Sequence, residues 1–438
     1  MKLSLSSTFT RLTFATMLAT LLATVMGRLV ALYGAATACV GWPLCVPVDS
    51  IGWVVLGHRL AVALAIGMML WLLQTAWLHY REESVLLPLT TVVATLYFGQ
   101  ALIGVTQVFS GYPLHLRVLH ALTAISLWIG LAALVYVSVA RSPLPKNYPV
   151  VGFRPRFMDF LTLTKPIVVL LLLVTTFTAL VAGRGGWPPL NLVLWTLLGG
   201  ALAAGGSSAL NQFIDRELDK NMQRTEKRPI PAGRMFPAEG LSFALALCLL
   251  SYFILASFIN LTAALLSLAG IIYYVIVYSI LLKNATVQNI VIGGGAGAIP
   301  PMVGWAAATG RIDLVSILLF ALVFFWTPPH FWALAIVRKQ DYARAGVPML
   351  PVVRGEAETR RQIWVYTLVL VAVSLLLPLF KLSGTIYLVS ALVLGLWMIW
   401  GAWRVLRIAG NKVAWQMYRW TSMYLLFIFV AFMVDAMV

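Results

Sequence analysis

Apolar positions along this chain come in continuous runs of about twenty residues, with the polar residues gathered between the runs. That pattern fits neither an amphipathic surface helix nor a half-buried strand. A bilayer core needs about 20 consecutive apolar residues per helical span. Thirteen spans are expected, at about 8–35, 51–79, 85–108, 116–140, 163–183, 189–212, 238–258, 261–282, 287–308, 312–335, 361–380, 383–403 and 416–436. A transmembrane β-barrel would alternate residue by residue instead. The fold class is therefore an all-α polytopic membrane protein. The stretch from Arg141 to Phe157, with four basic residues and four prolines, divides it. The expected domains are a four-helix bundle over 1–140, a basic linker over 141–157 and a nine-helix bundle over 158–438.

Composition agrees. Hydrophobic residues make up 61% of the chain and charged ones 10%, where about a quarter is usual in soluble domains. No cleavable signal or transit segment is evident, and the apolar run from Leu12 is long enough to span. The net charge of +17 would suggest nucleic acid in a soluble protein. Here the positive-inside rule accounts for it, so no nucleic-acid partner is expected. Arg216, Lys220, Arg224, Lys227, Arg228, Arg234, Arg338, Lys339 and Arg344 fall in loops on one side, whereas the opposite loops hold few cations, such as Arg184 and Arg311. The N-terminus and the two large charged loops, 213–237 and 336–360, are thus expected in the cytoplasm.

The stretch "NQFIDRELDKNMQRTEKRP", Asn211 to Pro229, holds four of the fourteen carboxylates and five basic residues. Asn211, Asp215 and Asp219 recur every fourth residue. On a helix continuing past the membrane surface they would share one stripe. Two carboxylates and an amide oxygen suit Mg²⁺, which takes one or two protein carboxylates and completes its shell with phosphate oxygens and water. Arg224, Lys227 and Arg228 supply cations for phosphate oxygens that no metal holds. The alternative is a solvated loop end in which Arg216 and Lys220 pair off the acids. Like charges one turn apart repel, which favours the ligand-binding reading. Asp341, with Arg338, Lys339 and Arg344 around it, is expected on the opposite wall of the same site, and Lys283 adds a further cation.

His330 lies in "TPPHFW", as a core residue or a haem contact. "GGGAGA" lacks the setting of a nucleotide loop and reads as close helix packing by small residues. Pro300-Pro301 and Pro328-Pro329 are expected to interrupt two helices, as around a cavity.

Taken in order, these motifs resemble the intramembrane UbiA-type prenyltransferases. Asn211-x3-Asp215-x3-Asp219 with Met222, Arg224-Thr225 and Arg228-Pro229 resembles their first aspartate-rich motif. "LTKP" (Leu163–Pro166), "NIVIGGGAGAIPPMVGWAAATG", "TPPHFWALA" and "DYARAGVPMLPVV" narrow the resemblance, over about 158–438, to the protohaem IX farnesyltransferases. The resemblance implies a Mg²⁺-dependent enzyme that joins the farnesyl group of farnesyl diphosphate to a vinyl group of haem b. It implies Asn211, Asp215, Asp219 and Asp341 as catalytic, Asp215 and Asp219 as Mg²⁺ ligands, and Arg224, Lys227, Arg228 and Lys283 as diphosphate ligands. Ile167 departs from it, standing where the family usually has Arg. A quinone-precursor prenyltransferase and a non-catalytic haem-binding scaffold remain as alternatives.

The first four spans carry their own residues. Cys39 and Cys45 fall in the first outside loop, where an oxidising compartment allows a disulfide; the alternative is two free thiols. Cys248 reads as core. His58 and His120 sit near the starts of the second and fourth spans, at similar depth, and two such histidines can ligate one haem iron. His115 is an alternative to His120. "MGRLVALYGAATACVGWPLC", "GHRL" and "LHALTA" resemble one half of haem A synthase, although "WVVLGHRL" lacks the Glu expected there. The resemblances imply farnesyl diphosphate, haem b and membrane lipid as partners, with haem A synthase or cytochrome oxidase assembly factors for the first half. They also imply a prokaryotic plasma membrane as the location.

Overall fold

The computed structural model describes residues 8–34, 38, 43–141, 144–149, 151–283 and 285–438. Among these residues thirteen helices are long and apolar enough to cross a membrane, matching the thirteen expected spans. Their contacts divide the chain into two units: 1–157 with 235–253, and 158–234 with 254–438. This division places residues 141–157 and most of a later helix with the first unit.

The first unit holds α1 (Thr8–Leu32), α2 (Ser50–His79), α3 (Leu86–Phe109) and α4 (Leu114–Arg141). α1 packs on α2 and α4, and α3 packs on the same two, closing a four-membered ring. Met69, Leu72, Leu86, Leu87, Leu131 and Leu134 fill it. Polar groups inside are satisfied locally: Thr13, Thr16 and Thr20 each donate to the carbonyl four residues back. Residues 235–253 include most of α9 (Pro237–Phe258). Glu239 in its first turn is 1% exposed and accepts from its own Phe236 backbone N–H at 3.0 Å. Arg156 pairs with it, and Arg81 lies 3.8 Å away. A buried carboxylate is tolerable because three donors surround it. Cys45 is disulfide-bonded and Cys248 is free and buried; Cys39, the expected partner, lies outside the described residues.

The second unit contains most of α5 (Phe153–Thr164), then α6 (Pro166–Arg184), α7 (Leu190–Ile214), the short α8 (Arg216–Asp219), the end of α9 and α10 (Leu261–Ile272). A π-helix over Tyr273–Leu282 follows, with α11 (Asn289–Thr309), α12 (Leu314–Val337), α13 (Lys339–Arg344) and α14 (Leu350–Val353) after it. α15 (Gly355–Ser374), α16 (Leu376–Leu379), α17 (Thr385–Arg407) and α18 (Asn411–Asp435) complete the unit. α11 packs between α6 and α12, and α12 against α15 and α18. The α6–α11 crossing is close: a Cβ on Gly304 would lie 2.0 Å from the Thr176 carbonyl oxygen. Asp435 at the end of α18 caps α17, accepting from the backbone N–H groups of Gly384 and Tyr387.

Three expectations are corrected. The proline pairs do not interrupt their helices; α11 and α12 run through them. Inside a bundle the surroundings can accommodate proline within a helix; Thr176 of α6 donates to the Pro300 carbonyl at 3.3 Å where α6 meets α11. The span 261–282 is not one α-helix, because its second half is π-helical. The acidic helix is also not continuous: α7 ends at Ile214, and α8 begins after a turn at Asp215.

Candidate functional site

The site starts from a break. α7 ends at Ile214, yet the i to i+4 bonds carry on through the turn, Asp215 N–H to the Asn211 carbonyl at 2.9 Å and Asp219 N–H to the Asp215 carbonyl at 2.8 Å, so the three side chains stay one turn apart. Asn211, Asp215 and Asp219 are only 3–4% exposed. Such carboxylates must be paired, and each has its own cation. Lys283, just past the π-helix, pairs with Asp215, and Arg228 pairs with Asp219 at 2.6 Å. Asn211 joins the set, donating Nδ2 to Asp215 at 2.7 Å and to Ser279 Oγ at 3.2 Å. The loop is folded to deliver Arg228: Thr225 Oγ1 donates to the Asp219 carbonyl at 3.0 Å. Arg216 and Lys220, the cations of the solvated-loop alternative, leave both aspartates alone and reach the exposed Glu217 instead.

A residue without an assigned role in the sequence completes the cluster. Lys165 Nζ donates to Asn211 Oδ1 at 2.9 Å. It sits between α5 and α6 with φ 52° and ψ 64°, a left-handed conformation costly for a side-chain-bearing residue. Gln212 holds the preceding turn, donating to the carbonyls of Thr162 and Leu163 at 3.1 and 2.9 Å. Burial, reinforced by Arg228, pulls the Lys165 ammonium down to about 7. Ile167, the departure from the family pattern, is exposed on α6 and brings no charge.

The π-helix sets the opposite wall. Its wider turn is seen in the Lys283 N–H, which bonds the Tyr278 carbonyl five residues back at 2.9 Å. Single π segments inside α-helices are frequent at functional sites. Asn289 fixes its end by donating to the Lys283 carbonyl at 3.0 Å. Tyr274 and Tyr278 stack with ring centroids 5.5 Å apart. The glycine run makes room for this wall: a Cβ on Gly293 would lie 2.2 Å from the Tyr278 ring, and one on Gly295 3.0 Å from Tyr273. "GGGAGA" is thus a packing surface, as read from the sequence.

Asp341 lies on α13 and lines a cavity of about 190 Å³ with Arg224, Arg338, Tyr342, Trp415 and Tyr418. Burial pushes the Tyr342 phenol up, against the opposing pull of Arg224 and Arg338. Tyr278 is within electrostatic reach of Asp215, Arg224 and Tyr342. Lys227 is not brought in. It is exposed, and its backbone carbonyl accepts from Arg234, whose Nε pairs with Asp159 at 2.9 Å. Lys339 pairs with Glu356 rather than Asp341. His330 is 8% exposed and stacks between Trp326 and Tyr418, at centroid distances of 4.3 and 4.5 Å. Its Nδ1 meets Thr421 Oγ1 at 2.8 Å. That hydroxyl already donates to the Tyr418 carbonyl, so Nδ1 carries the proton and Nε2 the lone pair.

In the first unit, glycines clear space for both candidate haem ligands. A Cβ on Gly27 would lie 2.8 Å from the His58 ring, and one on Gly104 3.4 Å from the His120 ring. His58 Nδ1 is 3.0 Å from the Ala23 carbonyl, an arrangement that leaves Nε2 for a metal. His120 lies beside the Gln100 backbone, and the two imidazoles are close enough to feel one another's charge. His115 is not drawn into either contact.

Among the described residues no group of three or more His, Cys, Asp or Glu side chains converges as a closed cation site. The Asn211, Asp215 and Asp219 oxygens instead offer the partial, hard donor set that Mg²⁺ uses when a substrate supplies the remaining oxygens.

The sequence model of the UbiA prenyltransferase family matches residues 172–429. A protoheme IX farnesyltransferase of Roseiflexus sp. (strain RS-1) is 40% identical over 438 residues, covering 95% of this chain and 82% of the relative. Another, from Gloeobacter violaceus, is 51% identical over 280 residues, covering 64% of this chain and 92% of its own. The solved structure of a digeranylgeranylglyceryl phosphate synthase shares the fold with a TM-score of 0.56 at 16% identity, covering 65% of this chain and 99% of that one.

Proposed function

The chain belongs to the UbiA prenyltransferase family, and from that premise we propose that it transfers the farnesyl group of farnesyl diphosphate to a vinyl group of haem b, giving haem O and diphosphate. One observation carries the reading: Asp215 and Asp219 are buried, each beside its own cation, next to a stacked aromatic pair inside an apolar bundle. A metal-binding loop facing bulk water would leave them exposed.

The chemistry breaks the bond between the farnesyl C1 and the diphosphate oxygen, with the electron pair leaving on oxygen. Asn211, Asp215 and Asp219 would hold Mg²⁺, which offsets charge on the departing group when bound. Lys283, Arg228 and Arg224 stabilise the remaining phosphate oxygens, where preorganised cations are most effective. The electron-rich vinyl carbon attacks the allylic cation at C1. The carbocation left on the other vinyl carbon takes up one water with loss of a proton, which supplies the hydroxyl of haem O. Tyr274 and Tyr278 present π-faces to the same region, a surface that attracts cations. The apolar walls exclude water, which would otherwise yield farnesol. Asp341 and Arg338 form the far wall, and the loop charges support a cytoplasmic mouth in a prokaryotic plasma membrane. The first unit binds haem b through His58 and His120. His330, with Nε2 free, is the acceptor-side contact, and haem A synthase or oxidase assembly factors are the partners suited to the first unit.

The test uses purified protein with haem b, farnesyl diphosphate and Mg²⁺, with products identified by mass. Wild type is expected to give farnesylated haem, and Asp215→Asn to lose about a hundredfold or more in rate. A prenylated phenol from an aromatic acceptor, with no farnesylated haem, would replace the acceptor assignment. Unchanged rate and Mg²⁺ dependence in Asp215→Asn would remove the site.

A further inference from the structure

The buried charges of the second unit do not balance. Asp215 has Lys283 and Asp219 has Arg228. Lys165 reaches the same cluster, yet its hydrogen bond goes to the neutral amide of Asn211. Three largely buried cations therefore face two carboxylates. Burial disfavours an ammonium unless a counter-charge receives it, and Lys165 has to share Asp215 and Asp219 with Lys283 and Arg228.

The backbone says the same. Lys165 adopts φ 52°, a region where glycine is at home and lysine is strained. Pro166 follows as the first residue of α6, and a residue before proline is already excluded from the right-handed helical region. Gln212, one position beyond Asn211, clamps the turn by two hydrogen bonds. The clamp and the lysine's target thus lie on consecutive residues of one helix. A strained turn held in this way aims a charge; a loop whose only task was to connect α5 to α6 would need neither lysine nor strain.

We propose that Lys165 is a diphosphate ligand, parked on Asn211 until the anionic group arrives and then bonded to its oxygens. This rests on the reading of the site as one that receives a prenyl diphosphate. It adds a residue from the α5–α6 turn, bonded to the Oδ1 of the same Asn211 amide whose Nδ2 meets the Asp215 carboxylate that pairs with Lys283. The residue touches the leaving group and not the acceptor, so its loss affects one substrate only.

The experiment measures inorganic pyrophosphate binding, with Mg²⁺, by calorimetry on the full chain in detergent, alongside steady-state farnesyl transfer. Lys165→Met removes the charge. Lys165→Gly removes it while relieving the left-handed strain, which guards against misfolding. Both are expected to weaken pyrophosphate binding roughly tenfold or more, the scale of one lost charge-assisted hydrogen bond. Both are also expected to raise KM for farnesyl diphosphate and leave KM for haem b unmoved. Lys165→Arg is expected to restore most of the loss. Wild-type pyrophosphate affinity in both Met and Gly variants would overturn the proposal, as would KM values for the two substrates rising together. If wild type binds pyrophosphate but does not farnesylate haem b, the acceptor assignment fails, and the binding comparison still decides the role of Lys165.

Discussion

At the scale of single residues, the site is a matter of which charge meets which. Glu217, Lys220 and Arg216 satisfy one another at the surface, while Asp215 and Asp219, drawn from the same short stretch, are buried with partners from distant sequence. Sequence spacing picked out the two aspartates because like charges at that interval demand a cation. It could not foresee the partners: Lys283 lies 68 positions from Asp215, and Arg228 was one of several equivalent cations nearby. A run of basic residues does not reveal which of them turns inward: Arg228 pairs with Asp219, while Lys227 beside it is exposed. Lys165 carried a signal that went unused, namely a lysine before a proline at the edge of an apolar span. A second feature of this scale is the contact of Gly293 with Tyr278. Gly293→Ala places a methyl where the ring stands, and the ring has Tyr274 behind it. The expected outcome is at least a tenfold fall in kcat/KM for farnesyl diphosphate, read in the product-mass assay, with overall helicity by circular dichroism retained.

At the scale of elements, the thirteen spans were legible because a continuous apolar run leaves a segment little choice except a helix. The breaks were not. A π-helix has no compositional mark: Tyr273–Leu282 is as apolar and aromatic as any neighbouring span. The turn at Asp215 was hidden by a four-residue repeat that a straight helix would also satisfy. Proline misled in the other direction, since its cost depends on neighbours that a sequence does not display. The α6–α11 crossing shows what small residues do in a bundle, where close backbone approach replaces the hydrophobic effect as the source of cohesion. Gly304→Ala drives a methyl into the Thr176 carbonyl, a rigid backbone atom. The thermal midpoint in detergent should fall by an amount equivalent to about 1–3 kcal/mol. A wild-type midpoint would mean that the two helices are free to separate.

At the scale of the whole molecule, the match to a Roseiflexus relative covers 95% of this chain, so residues of both units fall within it. The first unit has its own core and its own histidine pair, and the residues proposed for prenyl transfer all lie in the second unit. His58→Ala is expected to abolish a bis-histidine haem absorbance while farnesyl transfer to added haem b persists within about twofold. Loss of both together would show that the first unit feeds the second. Lastly, the surplus of cations has a kinetic side. A cradle that receives a prenyl diphosphate also receives the pyrophosphate cut from it, so added pyrophosphate is expected to inhibit competitively against farnesyl diphosphate and not against haem b; inhibition indifferent to the farnesyl diphosphate level would separate the two sites.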